Sequence, residues 1–275
     1  MKTKTDLSNL IDKQQKYAQY MIDEITHIIK SFGKRDPGSE GEKVACEYMA
    51  DVLKNDCGCD RIQIEHFKEN PGSFFGWIYI TMTLVLLSIP VFFFVSSLLS
   101  AIMIAFGFVI CILQFGMYKK FVDKLFPEKT GTNVTAIKSC KGEVKRRIFF
   151  NGHPDAAWEW PLNYRFGGAV FEGHIIVSVV GALLYLVISI INMANNGIWG
   201  GVPSDSVLVK VGLVGLIFVP FMIGMYHMWN SKLVVDGAND NLTGCYMGIA
   251  ILKALKDEGV ELENTEVGVI LTGSE

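Results

Sequence analysis

Three short stretches of this chain gather residue types that could do chemistry together. "RRIFFNGHPD" is an apolar, strand-like run that ends in His153 and Asp155. "VVDGANDNLTG" is a glycine-containing turn entering a helix, with Asp236 and Asp240 inside it. "VGVILTGSE" is a second strand-like run, followed by a Thr-Gly-Ser turn and Glu275. In open α/β sheets, ligand sites collect beyond the carboxyl ends of strands. Two of the stretches place polar groups there, and the third places them at a helix entry.

The residue types suit a hydrolytic zinc site. Imidazole Nε2 and carboxylate oxygens are zinc ligands, and a catalytic site leaves one position open. A carboxylate two residues beyond a histidine can orient its ring. An aspartate can bridge two metal ions, and a glutamate that is not a ligand can act as general base toward water. Each signal alone is weak. A single His-x-Asp is common, Asp240 could simply cap a helix starting near Leu242, and Glu275 could be a solvated end residue. The weight comes from all three occurring in order, each at the end of an apolar element.

The elements that must position them follow from periodicity. Residues 10–32 repeat Tyr17, Met21, Ile25, Ile28 and Ile29 at helical spacing. Pro37 and Gly38 then break the chain. Ser39 and Glu42 have the spacing of a capping box before a second helix with an apolar face from Val44 to Leu53. "DRIQIEHF", "NVTAIK", "RRIFF" and "TEVGVIL" read as strands, and "LTGCYMGIAILKALKDEG" as a mostly apolar helix.

Half of the 275 residues are hydrophobic and the net charge is −3. The apolar residues are unevenly spread. No Asp, Glu, Lys or Arg occurs in 70–118, 173–204 or 211–231. These deserts predict four membrane spans near 74–96, 98–118, 173–194 and 207–229, with a turn near Ser96 and Ser97. Two hairpins make an even number of crossings. The polar pieces 1–73, 119–172 and 230–275 are therefore expected on one side of the bilayer as one discontinuous domain, interrupted by hairpins 74–118 and 173–229. The near side carries Lys119, Lys120, Lys124, Arg165 and Lys232. The positive-inside rule places that side in the cytoplasm of a multi-pass membrane protein. The N-terminus has no apolar signal region.

"GHPD", "GANDNLTG" and "ILTGSE", preceded by "RDPGSEGEKVACEYMADVL", resemble the motifs of the co-catalytic zinc peptidases of metallopeptidase family 28, which includes bacterial leucyl aminopeptidase and aminopeptidase Y. The turn pattern GAxDNxSG is the most specific element, matched here with Thr243 in place of serine. The resemblance covers the polar pieces; the four spans are insertions relative to it. It implies an α/β fold with a mixed sheet and helices on both faces, a three-layer zinc-peptidase-like domain. It implies two zinc ions, with His153 as a ligand of one and Asp155 as its orienting partner. Asp240 is then the carboxylate bridging both ions, and Glu275 the general base. The family pattern continues with a second glutamate, an aspartate and a histidine, so this chain reads as the N-terminal part of a longer enzyme. The expected activity is that of a membrane-embedded exopeptidase, an aminopeptidase, with peptides and the lipid bilayer as partners and no nucleic acid. The competing reading is a non-catalytic membrane scaffold that keeps a peptidase-like fold. A one-zinc acyl-transfer relative of the glutaminyl cyclase kind shares the fold.

Other features are ordinary. The six cysteines are scattered, and the Cys57-x-Cys59 pair has no second pair nearby, so reduced thiols are expected. "KGEVKRR" reads as a solvated strand entry, with phospholipid contact as the sharper alternative. His174 and His227 read as packed or interfacial side chains. Trp158 and Trp160 suit either a substrate pocket or the membrane interface.

Overall fold

The computed structural model describes residues 11–199 and 201–274. The chain divides into two compact units. The first contains residues up to Pro71, Glu128–Trp158 and Lys232 onward; the second contains Gly72–Pro127 and Glu159–Ser231.

In the first unit, helices α1 (Gln14–Ser31) and α2 (Glu40–Asn55) precede strand β1 (Arg61–Glu69). Strands β2 (Lys129–Lys138) and β3 (Arg146–Gly152) follow after the first apolar pair of helices. Helix α9 (Thr243–Asp257) and strand β6 (Thr265–Leu271) complete the unit. The sheet order is β1-β2-β6-β3. β1 and β6 each pair antiparallel with β2, while β3 and β6 run parallel, so the sheet is mixed.

Alternation decides the core. Val134 and Ala136 of β2, and Val267, Val269 and Leu271 of β6, point to one face. There they meet Ala45, Cys46, Met49, Val52 and Leu53 of α2, and Cys245, Tyr246, Ile249 and Leu252 of α9. Ile28 of α1 is buried in the same cluster. The opposite face carries Glu266 between Arg61 and Arg147, with Phe149 39% exposed. Among the described residues, the helices packed in this core all lie on one face.

The start of α2 departs from a capping box in one respect. The Ser39 hydroxyl accepts the Glu42 N–H at 3.2 Å, as the spacing implied. The Glu42 carboxylate does not reach back to Ser39. It is buried, and it accepts N–H groups from Gly38 and, at 3.3 Å, from Thr132 of β2. The "KGEVKRR" lysines and arginines are partly neutralised: Lys141 pairs with Glu261, and Arg147 with Glu266 at 2.8 Å. All six cysteines are free thiols.

The second unit contains α3 (Ser73–Phe94), α4 (Ser97–Cys111, prolonged by a wider turn to Gly116), α5 (Pro161–Phe166), α6 (Gly168–Asn196), α7 (Val207–Gly215) and α8 (Val219–Gly224). Four helices, Ser73–Phe94, Ser97–Gly116, Gly168–Asn196 and Val207–His227, are long and apolar enough to cross a membrane. Ser96 lies at the turn between the first two, its hydroxyl accepting the Leu99 N–H. Several buried polar groups inside this unit pair across its helices. Ser189 bonds Ser100 at 3.3 Å, Asn192 bonds Ser97 at 2.9 Å, and the Tyr185 hydroxyl donates to Gly212 O at 2.7 Å. Interhelical bonds of this kind help to hold apolar helices in register. A short ribbon is formed by β4 (Trp158–Glu159) and β5 (Asn230–Val234).

Candidate metal centre

His153 follows directly on the last residue of β3. Gly152 ends that strand because nothing larger fits there. A Cβ on it would lie 2.5 Å from Cys245 N and 2.7 Å from Gly244 C, both backbone atoms of the first turn of α9. The strand end and the helix start are thus in direct backbone contact. The turn before α9 contains Gly237 at φ 60°, a left-handed conformation that favours glycine. The Asp240–Asn241 peptide bond is cis. Asp240 does not cap the helix; α9 starts at Thr243 with no side-chain cap, and the Thr243 hydroxyl donates to Ala238 O at 2.8 Å.

These contacts bring together three of the sequence-derived residues. His153 Nε2 lies 3.2 Å from Asp240 Oδ1, and His153 Nδ1 lies 3.4 Å from Asp155 Oδ1. Asp155 is buried, and its Oδ1 also accepts the Ser274 N–H at 3.0 Å. The third motif therefore reaches the site through its backbone. Asp240 is open to solvent, its side chain 83% exposed, whereas that of His153 is 13% exposed. Glu275 lies outside the described residues. Asp236 points elsewhere, its carboxylate 3.3 Å from Lys34 Nζ.

Two buried ionisable residues to which the motifs gave no role in the site brace this arrangement. Arg35 is 1% exposed. Its Nε donates to Pro154 O at 2.9 Å and its Nη2 to Asp236 O at 2.5 Å, while its own carbonyl accepts the Ala156 N–H at 2.8 Å. One guanidinium thus ties the loop carrying His153 and Asp155 to the turn carrying Asp240. Gly237 is squeezed into the same joint: a Cβ there would meet Ala156 Cβ at 2.7 Å and Arg35 Nη2 at 3.0 Å. The second is Glu42, which lies under the 272–274 turn; a Cβ on Gly273 would strike its Oε1. Burial pushes the Glu42 carboxyl up to about 7, against the pull of its two N–H donors. Asn133 of β2 accepts the Gly273 N–H at 3.0 Å.

The geometry can be set against a metal. Zinc bonds of about 2.0–2.2 Å in a tetrahedron separate two ligand atoms by roughly 3.3–3.5 Å. The 3.2 Å between His153 Nε2 and Asp240 Oδ1 is close to that range, and it is also an ordinary hydrogen-bond length. The donor set, one imidazole nitrogen and one carboxylate oxygen with a carboxylate behind the ring, fits zinc. Among the described residues, no group of three or more His, Cys, Asp or Glu could hold a metal ion.

Comparisons with known proteins give a limited likeness. No family model matches the chain, and no curated protein matches it. Two solved structures of BSAP, a zinc aminopeptidase from Bacillus subtilis, are similar to it at 10% sequence identity, with TM-scores of 0.40 and 0.41. The match covers 94% of this chain and 61% of theirs. A likeness at that level assigns no residue a role.

The remaining candidates pack rather than converge. Trp160 stacks on Phe171 at 5.0 Å and meets Phe75 edge-on, all within the helical unit. His174 lies against Gly224 and the Phe221 ring. Burial pushes the Cys57 and Cys59 thiols up to about 12 and about 11, so both stay protonated at neutral pH.

Proposed function

We propose that the chain carries part or all of the active site of a membrane-embedded, zinc-dependent exopeptidase, an aminopeptidase acting on peptides. One observation carries this reading: His153 Nε2 and Asp240 Oδ1 stand 3.2 Å apart, with Asp155 behind the imidazole. His153 and Asp240 would hold zinc, with Asp240 shared between two ions. Asp155, its Oδ1 3.4 Å from Nδ1, would orient the ring and favour the tautomer that leaves the Nε2 lone pair free. Zinc, when bound, supplies Lewis acidity toward the scissile carbonyl and toward water. Glu275 takes the proton from the attacking water and returns it to the leaving amine. The four apolar helices support membrane embedding, and the lysines after the first pair support a cytoplasmic site.

A second reading has its own observation. Only two candidate ligands meet among the described residues, which is what a scaffold that has kept the fold without the chemistry would show. Zinc titration of detergent-purified protein against a chromophoric chelator separates the two. The enzyme reading expects tight zinc uptake that falls with His153→Ala and with Asp240→Asn. It also expects Glu275→Gln to keep its zinc while losing about 10²–10⁴-fold in peptide hydrolysis. A wild-type protein that takes up no zinc and cleaves no peptide leaves the scaffold reading standing.

A further inference from the structure

The metal-centre reading leaves unused the turn that closes the first apolar helix pair. The extension of α4 ends at Gly116, and the N–H groups of Met117 and Lys119 donate to Ile112 O and Leu113 O, both at 2.8 Å. The chain then reverses through Tyr118 at φ 50° and Lys120 at φ 53°. Residues with side chains seldom adopt this left-handed conformation, and such positions concentrate where geometry serves function. Among the described residues other than glycine, only Ser274, beside Asp155, shares it.

Gln114 holds the turn from beneath. It is buried; its Oε1 accepts the Val122 N–H at 2.9 Å, and its Nε2 donates to Asp123 Oδ1 at 2.7 Å. The Ser73 hydroxyl donates to the same Asp123 oxygen at 2.7 Å. The one acid between Met117 and Pro127 is thus tied down by neutral donors. What faces outward is of two kinds. Tyr118 is 70% exposed and Leu125 71%, with Met117 and Phe121 about half exposed. Lys119, Lys120 and Lys124 are interleaved with them and exposed, and none makes an ion pair among the described residues. At the same end of the helix pair, Trp77 packs on Phe115 and Phe106 on Phe121.

Water alone gives no reason to present four large apolar side chains on one braced turn. A headgroup layer does: apolar tips enter the acyl boundary while lysine stems extend to the phosphates. Aromatic rings at that depth are the usual companions of such a position. The sign of the charge then selects among lipids. We propose that the turn Met117–Leu125 is a docking surface for the headgroups of anionic phospholipids. This rests on the reading that the apolar helices lie in a bilayer. Each lysine near an anionic surface is worth roughly fivefold in partitioning, and salt weakens the effect.

The test places the purified protein in vesicles of phosphatidylcholine, and of phosphatidylcholine mixed with phosphatidylglycerol, with either lipid brominated in turn. Tryptophan quenching then reports which lipid sits against the helices. We expect stronger quenching by brominated phosphatidylglycerol than by its neutral counterpart. That preference should disappear in Lys119→Gln/Lys120→Gln/Lys124→Gln and persist in Lys30→Gln/Lys54→Gln/Lys68→Gln. Protein that resists carbonate extraction yet is quenched equally by both lipids overturns the docking surface and leaves the membrane reading intact. Protein released by carbonate overturns the membrane reading and the docking surface with it.

Discussion

Arg35 couples the two halves of the candidate metal centre without belonging to either motif. Its two bonds satisfy the carbonyl of Pro154, in a buried contact, and that of Asp236, in a partly buried one. Arg35→Met strands the first and leaves the second partly so, and a buried group left without its partner costs about 1–3 kcal/mol. The expected loss, about 2–4 kcal/mol, is measurable as a lower urea midpoint, with Arg35→Lys recovering only part. Glu42 gives a pH dependence. Its folded carboxyl keeps a proton up to about pH 7, whereas the ordinary value is 4.5. The folded state then binds more protons between those values, so Glu42's contribution to stability is fully present below 4.5 and is lost as pH rises through about 7. Unfolding midpoints measured across that interval should fall with pH in the wild type and stay flatter in Glu42→Gln. His153, Asp155 and Asp240 were legible because residue type and spacing alone suggest ligand chemistry. Arg35 and Glu42 were not. Their importance comes from partners more than a hundred residues away for Arg35 and ninety for Glu42, and nothing in "KRDPGSEGEK" encodes those partners.

Among the elements, the junction of β3 with α9 does most to place the site. Gly152→Ala would push a methyl group into the backbone of α9's first turn, which cannot yield as a side-chain tip can. Overpacking of this kind costs about 1–3 kcal/mol. The substitution should also separate His153 from Asp240, so zinc affinity should fall along with the denaturation midpoint; an unchanged affinity in a destabilised protein would show that the junction does not set the ligand spacing. Strands and helices were largely readable from their periods, and the turn near Ser96 and Ser97 from its place between two apolar runs. Their limits were less so. Charge-free windows report where charge stops, not where a helix stops: α6 begins at Gly168 and carries Glu172 inside it. The fourth apolar helix is interrupted by a tighter turn at Leu216–Phe218, just before Pro220. Proline has no N–H to offer the preceding turn, a break that hydropathy does not register. What covers each face of the sheet was also hidden, since a strand's alternation shows that a face is apolar and not what packs on it.

At the scale of the whole chain, the helical unit is strung between the site segments: residues 159–231 separate Asp155 from Asp240. On the proposed function this tethers the catalytic residues to the membrane-embedded part by short stretches of backbone. The expected preference is for short peptides over folded proteins with accessible N-termini. Comparing hydrolysis of a dipeptide amide with that of a folded protein, in detergent and in bilayers, checks it; equal rates for both in both settings would count against tethered access. The strand order has a different consequence, one of timing. β6 lies between β2 and β3, yet among the described residues it is the last of the four sheet strands in the chain, and β3 pairs there with no other strand of that sheet. A ribosome adds roughly 5–20 residues per second, so on the order of ten seconds pass between the emergence of β3 and that of β6. During that interval the second pair of apolar helices is made, while one edge of β2 and both edges of β3 have no neighbour in this sheet. Unpaired edges are templates for any other strand. The nascent protein is therefore open to mispairing, and in need of a holding chaperone, in the interval when its second pair of apolar helices is being synthesised.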